Sequence, residues 1–515
     1  MALKSLVLPS FYQDSVVLMR VAQALRGEEG VREAAALMGT PSNHGILEQA
    51  GFACALNREA GPNDLILAVV AESEATADRA LATARELLSR RRAAAGQGAA
   101  PAPRSLDSAL RLLPGANLAS ISVPGPFARR EALRALRRGL NVFLFSDNVP
   151  VGAEAELKRE ALAWGLLCMG PDCGTAYLGG VPLGFANVVP RGRTGIVAAS
   201  GTGLQAVASH LAMLGEGISQ GIGVGGRDLT SQVGGAMTCF ALDALRADPG
   251  TEAIVLISKP PDPEVLPRLV RALEGAGKPA VVCCLGAKPP ARSAARWVGT
   301  LEDAAGAAAA LLQKKAWAPR PFSDAGEVRA RLERWRREEG AAGPGLLGLY
   351  TGGTLAHEAH LLLEPHLGRI PFNEEGGSPP HRIVDLGDDA YTVGRPHPML
   401  DPEARVEWVR AAGRSKETGV LLLDLVLGKA AHPNPARGLA AAVREARAEA
   451  GRDGRRMPAV ASVVGTAGDP QGLARQIAQL EEAGVEVLPS NAQACRFAAL
   501  LLQPGLTGAW LKEAR

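Results

Sequence analysis

The chain has 515 residues, 47% of them hydrophobic, which predicts three or four domains that each bury a core. Because 56 Lys and Arg nearly balance 53 Asp and Glu, the net charge of +3 argues against nucleic-acid and membrane-surface binding but leaves small anions as ligands. The 7 cysteines include no C-x-x-C pair, and no apolar run reaches the about 18 residues of a membrane span. We therefore expect reduced thiols and a cytoplasmic protein.

Five segments follow one another along the chain. Residues 1–95 alternate short strands and helices and predict a small α/β domain, while residues 96–190 begin with a charged, proline-bearing linker before the alternation resumes. Residues 191–320 and 345–515 each predict a doubly wound parallel sheet. Between them, residues 321–344 predict a charged helical connector that ends in glycines. The predicted fold class is therefore α/β, with several parallel-sheet domains and a small N-terminal domain.

The third and fifth segments look like copies of one domain. "IVAASGTGL" (196–204) and "LGLYTGGTL" (347–355) both run an apolar strand into a small, hydroxyl-bearing glycine turn and then into a helix. "EAIVLISKP" matches "TGVLLLDLV", and "KPAVVCCLG" matches "MPAVASVVG", in the same order. A period of this length predicts duplicated domains, each with its ligand edge at the C-terminal ends of the strands.

The two glycine turns are the first candidate binding site. Such a turn directs main-chain N–H groups and a helix N-terminus at one point, which suits a phosphate or a carboxylate. The alternative is that a tight strand-to-helix turn needs small residues in any case. The candidate phosphate-binding residues are Ser200, Gly201, Thr202 and Gly203 in one turn and Thr351, Gly352, Gly353 and Thr354 in the other.

Two shorter motifs add candidate residues. "GGRDL" contributes Gly225, Gly226 and the guanidinium of Arg227, which suits capture of an oxyanion but equally suits an internal salt bridge. "MGTPSNHG" places Ser42 or Asn43 at a helix start, either as a third anion cradle or as an ordinary cap.

The densest polar stretch is "IVDLGDDAYTVGRPHPMLDP", which follows an apolar strand. Its carboxylates and imidazole suit proton transfer, and its guanidinium suits an anion. The spacing matches no metal signature, so we predict no metal site. The alternative is a proline-rich loop held by salt bridges. The polar residues of this stretch are Asp385, Asp388, Asp389, Tyr391, Thr392, Arg395, His397 and Asp401. Among them, Asp388, Asp389, Arg395 and His397 are the candidate catalytic residues, and Gly387 is a candidate for substrate binding.

Several of these motifs together resemble known families. "LASISVPGPFARREALRALRRGLNVFLFSD", "GPDCGT", "GIVAASGTGLQAVASHLAMLGEGISQGIGVGGRDL" and "TEAIVLISK" resemble the α subunit of succinyl-CoA ligase and other NDP-forming acyl-CoA synthetases. The last segment is similar to the C-terminal ligase domain of the β subunit. In order along nearly the whole chain, "FYQDSVVLMR", "LMGTPSN", "MGPDCGT", "LYTGGTLAHEA" and "DLGDDAYTVGRPHPM" resemble the FdrA family.

The resemblance implies a Rossmann-like domain of the CoA-binding type at residues 96–190 and flavodoxin-like ligase domains at 191–320 and 345–515. The chain departs from the ligases in three respects. Their glycine-rich CoA cradle is replaced by the N-terminal domain, their phosphohistidine loop reads "AKPPARSAARWVGTLEDAA" without histidine, and an ATP-grasp domain is not evident. These departures argue against CoA or a nucleotide as a cofactor.

The FdrA resemblance implies oxamate carbamoyltransferase activity with partner subunits, in which carbamoyl phosphate and oxamate exchange with oxalurate and phosphate during allantoin degradation. The glycine turns would hold phosphoryl oxygens, Arg227 or Arg395 would orient the substrate carboxylate, and His397 or an aspartate of "DLGDD" would handle the proton. Homo-oligomers or separate partner subunits are expected. Two alternatives stay open: a subunit of an NDP-forming acyl-CoA ligase, and a non-catalytic, ligase-like scaffold that binds a metabolite.

Overall fold

The structure is a computed structural model of the chain, whose residues form two compact units, Met1–Ala109 with Thr392–Pro396, and Leu110–Tyr391 with His397–Arg515. The residues that it describes are 2–11, 13, 15–49, 51–52, 54–96, 103–337, 340–373, 380–392 and 396–511.

The first unit is built on an antiparallel sheet with the strand order β1-β3-β2. Its strands are β1 (Ala2–Leu8), β2 (Val31–Met38) and β3 (Leu65–Ala71). Strand β3 is almost wholly buried because it lies between the other two and carries the apolar run LILAVVA. The helices are α1 (Ser15–Arg26), α2 (Pro41–Gln49), α3 (Ala55–Arg58) and α4 (Glu74–Gly96). The prediction of a small N-terminal α/β domain is confirmed.

The second unit begins with a parallel sheet of three short strands in the order β4-β5-β6. Helices alternate with these strands, as the sequence predicts. The strands are β4 (Leu118–Ile121), β5 (Asn141–Leu144) and β6 (Cys168–Met169), and the helices are α5 (Leu106–Leu112), α6 (Gly125–Leu136) and α7 (Val151–Ala163).

A seven-stranded sheet follows, in the order β13-β12-β11-β9-β10-β7-β8. Strands β9 to β13 are parallel, and the antiparallel hairpin β7–β8 extends the edge beside β10. This hairpin lies before residue 191, where the sequence predicts that the domain begins, so the sheet starts earlier in the chain than predicted. The strands are β7 (Thr175–Leu178), β8 (Val181–Gly184), β9 (Arg191–Ala198), β10 (Ile218–Gly223), β11 (Ala253–Ser258), β12 (Ala280–Cys284) and β13 (Arg296–Trp297). The helices are α8 (Gly201–Met213), α9 (Ala236–Ala247), α10 (Leu266–Gly275) and α11 (Leu301–Gln313).

The last domain is a five-stranded parallel sheet in the order β16-β15-β17-β19-β20, with a small parallel pair β14–β18. The strands are β14 (Ala341–Ala342), β15 (Gly345–Tyr350), β16 (Arg382–Asp385), β17 (Thr418–Val426), β18 (Arg455–Arg456), β19 (Ala459–Val464) and β20 (Val485–Leu488). The helices are the connector α12 (Ala325–Arg337), α13 (Gly353–Leu367), α14 (Asp389–Thr392), α15 (Glu403–Arg414), α16 (Pro435–Arg452), α17 (Leu473–Glu482), α18 (Asn491–Leu502) and α19 (Thr507–Trp510), with a 3₁₀ turn at Pro504–Leu506.

The two large sheets have the same topology. Counted in chain order from β9 and from β15, the five principal parallel strands of each sheet run 2-1-3-4-5, which is the flavodoxin-like order. In both sheets the first strand leads into the helix that begins at a glycine turn, α8 after β9 and α13 after β15. The predicted pair of flavodoxin-like domains is therefore confirmed.

The two flavodoxin-like domains share one apolar core. Leu204 and Leu211 of α8 belong to the same buried cluster as Leu355 and Leu363 of α13 and Phe497 of α18. Because side chains from both domains exclude water from each other, the starts of α8 and α13 are held side by side.

Polar contacts join the same two domains close to the ends of their strands. The Asn187 side chain donates to Asp469 Oδ2 at 2.8 Å and to the Leu427 carbonyl at 3.0 Å. The main-chain N–H of Val188 donates to Asp469 Oδ1 at 2.7 Å, and the Thr466 hydroxyl donates to the Val188 carbonyl at 2.6 Å. These bonds fix the segment after β8 against the last domain.

A buried ionic network joins α7 to the loop that precedes α9. Lys158 Nζ, which is 0% exposed, donates to Glu154 Oε1 at 2.7 Å and to Asp228 Oδ1 at 2.8 Å. Asp228 in turn accepts the main-chain N–H and the hydroxyl of Thr238, at 2.8 and 2.7 Å. Each buried charge therefore has partners, which is the condition under which such a network is tolerated.

We expect Lys158→Met to lower the free energy of unfolding by about 3–5 kcal/mol, because the buried carboxylate of Asp228 would lose its cation and that of Glu154 would keep only Arg227. Arg246→Met is the matched control, since the pair between Arg246 and Asp243 is more than half exposed on both sides. Thermal unfolding of both variants checks this. Equal midpoints for the two variants would contradict the importance of the network.

Candidate functional site

Helices α8 and α13 begin at equivalent turns of the two flavodoxin-like domains. Ser200 caps α8, and its hydroxyl accepts the main-chain N–H of Gly203 at 2.8 Å. Gly352 occupies the cap position of α13 and has no side chain to cap with. Helix α8 begins at Gly201 and helix α13 at Gly353. In the first turn of each helix, the main-chain N–H groups have no carbonyl partner within the helix.

The two turns meet. Ser200 Oγ and Thr354 Oγ1 lie 2.5 Å apart, so one hydroxyl donates to the other across the two domains. A Cβ placed on Gly352 would lie 3.0 Å from Thr202 Cγ2 and 3.1 Å from its Cβ. Glycine at this position therefore permits the close approach. The positive ends of two helix dipoles converge on one place, which is electrostatically suited to an anion.

A buried ion pair shapes the second turn. The Asp424 carboxylate accepts the main-chain N–H of Thr351 at 2.9 Å, that of Gly352 at 2.8 Å, and the Thr351 hydroxyl at 3.1 Å. Arg405 Nη1 donates to Asp424 Oδ1 at 2.8 Å and to the Asp424 carbonyl at 2.7 Å. Both partners are buried, so the carboxylate is neutralised and fixed while it holds the turn.

Among the residues that the structure describes, no carboxylate accepts an N–H of the first turn. The N–H of Ala199 donates to the main-chain oxygen of Ile257 at 2.9 Å, and the Ile257 side chain lies beneath Gly203. The two turns are thus alike in shape but differ in charge.

Asp385 lies at the end of β16, against the start of α13. It is 8% exposed, and a Cβ placed on Gly353 would lie 2.5 Å from Asp385 Oδ2. Asp385 Oδ1 accepts the Gly387 N–H at 3.0 Å. Burial raises the pKa of the Asp385 carboxyl to about 7, and the charges of Asp424 and Asp388 act in the same direction.

His397 faces the same place. A Cβ placed on Gly387 would lie 2.7 Å from His397 Nε2 and 3.2 Å from Asp385 Oδ1. Burial lowers the pKa of His397 to about 4, so its ring is neutral at pH 7. Because His397 Nδ1 accepts the N–H of Met399 at 3.2 Å, the ring proton is on Nε2. The imidazole therefore presents a hydrogen-bond donor toward Gly387 and Asp385.

The Arg227 side chain is engaged in hydrogen bonds with α7 and the residue before it. Its Nε donates to Glu154 Oε2 at 2.9 Å and its Nη2 to the Val149 carbonyl at 2.8 Å. The alternative of an internal pair between Arg227 and the aspartate that follows it is wrong in its partner, because Asp228 pairs with Lys158. Gly225 has φ +84° and packs against Pro171, whereas Gly226 is exposed.

Three further candidates complete the predicted set. Asp388 is exposed, and its carboxylate accepts the Ala390 N–H at 3.0 Å at the start of α14. The Asp389 side chain and residue Arg395 lie outside what the structure describes.

Asn43 belongs to the first unit, in helix α2. The helix begins at Pro41, and Thr40 Oγ1 accepts the Asn43 N–H at 3.3 Å, so the prediction of Ser42 or Asn43 as its cap is wrong. The Asn43 side chain donates to the Met38 carbonyl at 2.8 Å. Proline fits the first helical position because its missing N–H has no helical partner there.

Sequence reasoning missed Asp424 and Arg405 as functional candidates. The available signal was a lone carboxylate inside the apolar strand "TGVLLLDLV", because such a charge is buried only with a partner. Nothing in the spacing pointed to Arg405 as that partner.

Among the residues that the structure describes, no group of three or more His, Cys, Asp or Glu could hold a metal ion. None of the helices in those ranges combines the length and hydropathy of a membrane span.

Two family descriptions match parts of the chain. "AllF, heavy metal-associated domain" matches residues 1–103, and "CoA-ligase" matches residues 349–501. The second range includes the turn at Gly352, Asp385 and Asp424. Among the residues described within the first range, no group of three or more His, Cys, Asp or Glu could hold a metal ion.

The chain is similar to several known proteins. It is 36% identical to the uncharacterized protein YahF of Escherichia coli over 509 residues, which cover 95% of this chain and 97% of YahF. It is 28% identical over 228 residues to the α subunit of the ADP-forming succinate–CoA ligase of Methanothermobacter thermautotrophicus, covering 42% of this chain and 75% of that subunit. The acetyl-coenzyme A synthetase 1 of Ca. Korarchaeum cryptofilum, solved with phosphate and ADP, aligns over 77% of this chain and 84% of its own at 16% identity and a TM-score of 0.29.

The relatives and the family descriptions match different parts of the chain. YahF matches almost from end to end, while the ligase subunit matches over less than half of this chain. The AllF-type domain lies at the N-terminal end and the CoA-ligase domain near the other. With two flavodoxin-like domains between which the glycine turns meet, the chain belongs to the FdrA family of CoA-ligase-like proteins.

Proposed function

We propose that the two flavodoxin-like domains of this chain together bind the phosphoryl group of an acyl phosphate and support transfer of its acyl group. The observation that carries the proposal is the contact of the two glycine turns, with Ser200 Oγ and Thr354 Oγ1 2.5 Å apart. Helix starts from two domains then act on one anion, and neither domain offers both of them alone.

The chemistry of acyl phosphates suits such a site. When the bond between the acyl carbon and a phosphate oxygen breaks, negative charge grows on the phosphate, and fixed N–H dipoles stabilise that charge without reorganising. The N–H groups of Gly201 and Thr202 are the donors on the side without a carboxylate beneath the turn. The His397 Nε2–H is placed to donate to the transferred group.

For the specific reaction, we propose carbamoyl transfer between carbamoyl phosphate and oxamate, which the resemblance to the FdrA family implies. The loop after β12 supports a reaction without a phosphohistidine, since "AKPPARSAARWVGTLEDAA" contains no histidine. Of the cations named by sequence, Arg395 is the candidate for the substrate carboxylate, because Arg227 is engaged with Glu154.

A second candidate is a subunit of an NDP-forming acyl-CoA ligase. The observation that favours it is that several relatives are ligase subunits by name, among them the succinate–CoA ligase α subunit and the SauD subunit of the ADP-forming sulfoacetate–CoA ligase of Bilophila wadsworthia, 28% identical over 151 residues. SauD is matched over 50% of its length and 28% of this chain. Both candidates use a phosphate site and both involve partner subunits, so CoA binding separates them.

We expect calorimetric titration of the purified chain to detect binding of carbamoyl phosphate and phosphate but not of CoA. The reason is that the proposed site recognises a tetrahedral oxyanion through helix N-termini. Oxamate and ATP are titrated in the same way. Tight CoA binding would contradict the transferase and favour the ligase, and silence toward every ligand would contradict a site formed by this chain alone.

We expect Gly352→Ala to weaken phosphate binding by about tenfold, or about 1.4 kcal/mol. The added methyl group would lie 3.0 Å from Thr202 Cγ2 and would push the two turns apart. Gly275→Ala is the matched control, because a Cβ on Gly275 meets nothing within 4 Å. If both variants bind phosphate as the wild type does, the anion is not held between the turns.

A further inference from the structure

The buried carboxylate of Asp385 lies at a position where its negative charge would oppose the binding of an anion. It packs against the start of α13, close enough that a Cβ on Gly353 would be 2.5 Å from its Oδ2. An ionised carboxylate there would repel a phosphate bound between the turns, since both would share a partly buried site. A protonated carboxyl would instead donate a hydrogen bond to the ligand.

The two turns differ in the carboxylates that lie near them. At the second turn, Asp424 already accepts the N–H groups of Thr351 and Gly352, and Asp385 lies beside Gly353. At the first turn, the carbonyl of Ile257 accepts the preceding N–H, and among the residues that the structure describes no carboxylate accepts an N–H of that turn. The start of α8 is therefore the more favourable position for negative charge, and it meets the turn beside Asp385 through the contact of Ser200 with Thr354.

We propose that the oxyanion binds on the Ser200 turn while Asp385 is protonated, and that Asp385 supplies and recovers the proton of the reaction. This inference rests on the proposed acyl-phosphate site and adds to it the group that exchanges the proton. Asp385 thereby couples ligand binding to the uptake of one proton.

The surroundings of Asp385 agree with this role. From β17 and from its own loop, Asp424 and Asp388 raise the pKa of Asp385 in addition to burial, whereas the Gly387 N–H and the exposed Lys259 oppose them. His397, which faces it across Gly387, is neutral at pH 7. The resulting pKa of about 7 leaves both protonation states of Asp385 accessible near neutrality.

In the direction that consumes phosphate, the proton has a defined destination. A phosphate oxygen forms a bond to the carbamoyl carbon of oxalurate, and the bond from that carbon to the oxamate nitrogen breaks. The nitrogen keeps the electron pair and receives the Asp385 proton, which gives oxamate and carbamoyl phosphate. Once carbamoyl phosphate has left, the Asp385 carboxylate takes a proton from solvent again before the next phosphate binds.

Sulfate binding to the full chain tests the coupling, because sulfate is a tetrahedral dianion that does not titrate near neutrality. In the wild type, we expect affinity to fall as the pH rises above about 7, approaching about tenfold per pH unit, since one proton must be bound first. Calorimetry in two buffers that differ in ionisation enthalpy measures the protons taken up directly.

The variant Asp385→Asn should bind sulfate with no pH dependence and without proton uptake. Asp243→Asn, at an exposed position on α9, is the control and should behave as the wild type does. A variant Asp385→Asn with unchanged proton uptake would overturn the inference and leave the phosphate site standing. If Asp385→Asn does not fold, a pH-independent affinity of the wild type overturns it equally. Failure of the wild type to bind either sulfate or phosphate would overturn the site and the inference together.

Discussion

The contact between two helix starts from two different domains is the feature on which the account depends. Ser200 and Thr354 share a hydroxyl hydrogen bond, and Gly352 packs against Thr202. Neither contact would survive a small relative displacement of the domains, so the shared apolar core of α8, α13 and α18 is a condition of the site. The bonds from Asn187 and Val188 to Asp469 restrain the same two domains.

The two turns have similar backbones but differ in the charged side chains around them. The Arg405–Asp424 pair is buried and ties up two N–H groups of the second turn. Removing either member of this pair would leave the other as an unpaired buried charge. The desolvation cost of the two charges is therefore offset only while both are present. Asp385 adds an ionisable carboxyl beside the same turn. At the first turn, the Ile257 side chain lies beneath Gly203, whose N–H donates to Ser200 Oγ.

Much of the fold could be predicted from the sequence, because strand and helix periodicity and the repeated glycine turns are local patterns. The equivalence of the two glycine turns followed from the repeat, and Ser200 and Gly352 both occupy helix cap positions. The meeting of the turns could not be predicted, since it depends on how two domains pack. Of the aspartates in "DLGDD", only strand register distinguishes Asp385, which reaches the turn, from Asp388, which is exposed. Arg227 illustrates the same limit: its partner Glu154 lies 73 residues away in the chain.

The central claim is that both domains hold one oxyanion between their helix starts. The most direct test is a crystal structure of the chain grown with selenate, whose anomalous scattering locates the ion without bias. The account predicts a selenate within hydrogen-bond distance of the Gly201 and Thr202 N–H groups and facing Thr354. Selenate bound elsewhere on the molecule, with none at the two turns, would contradict it.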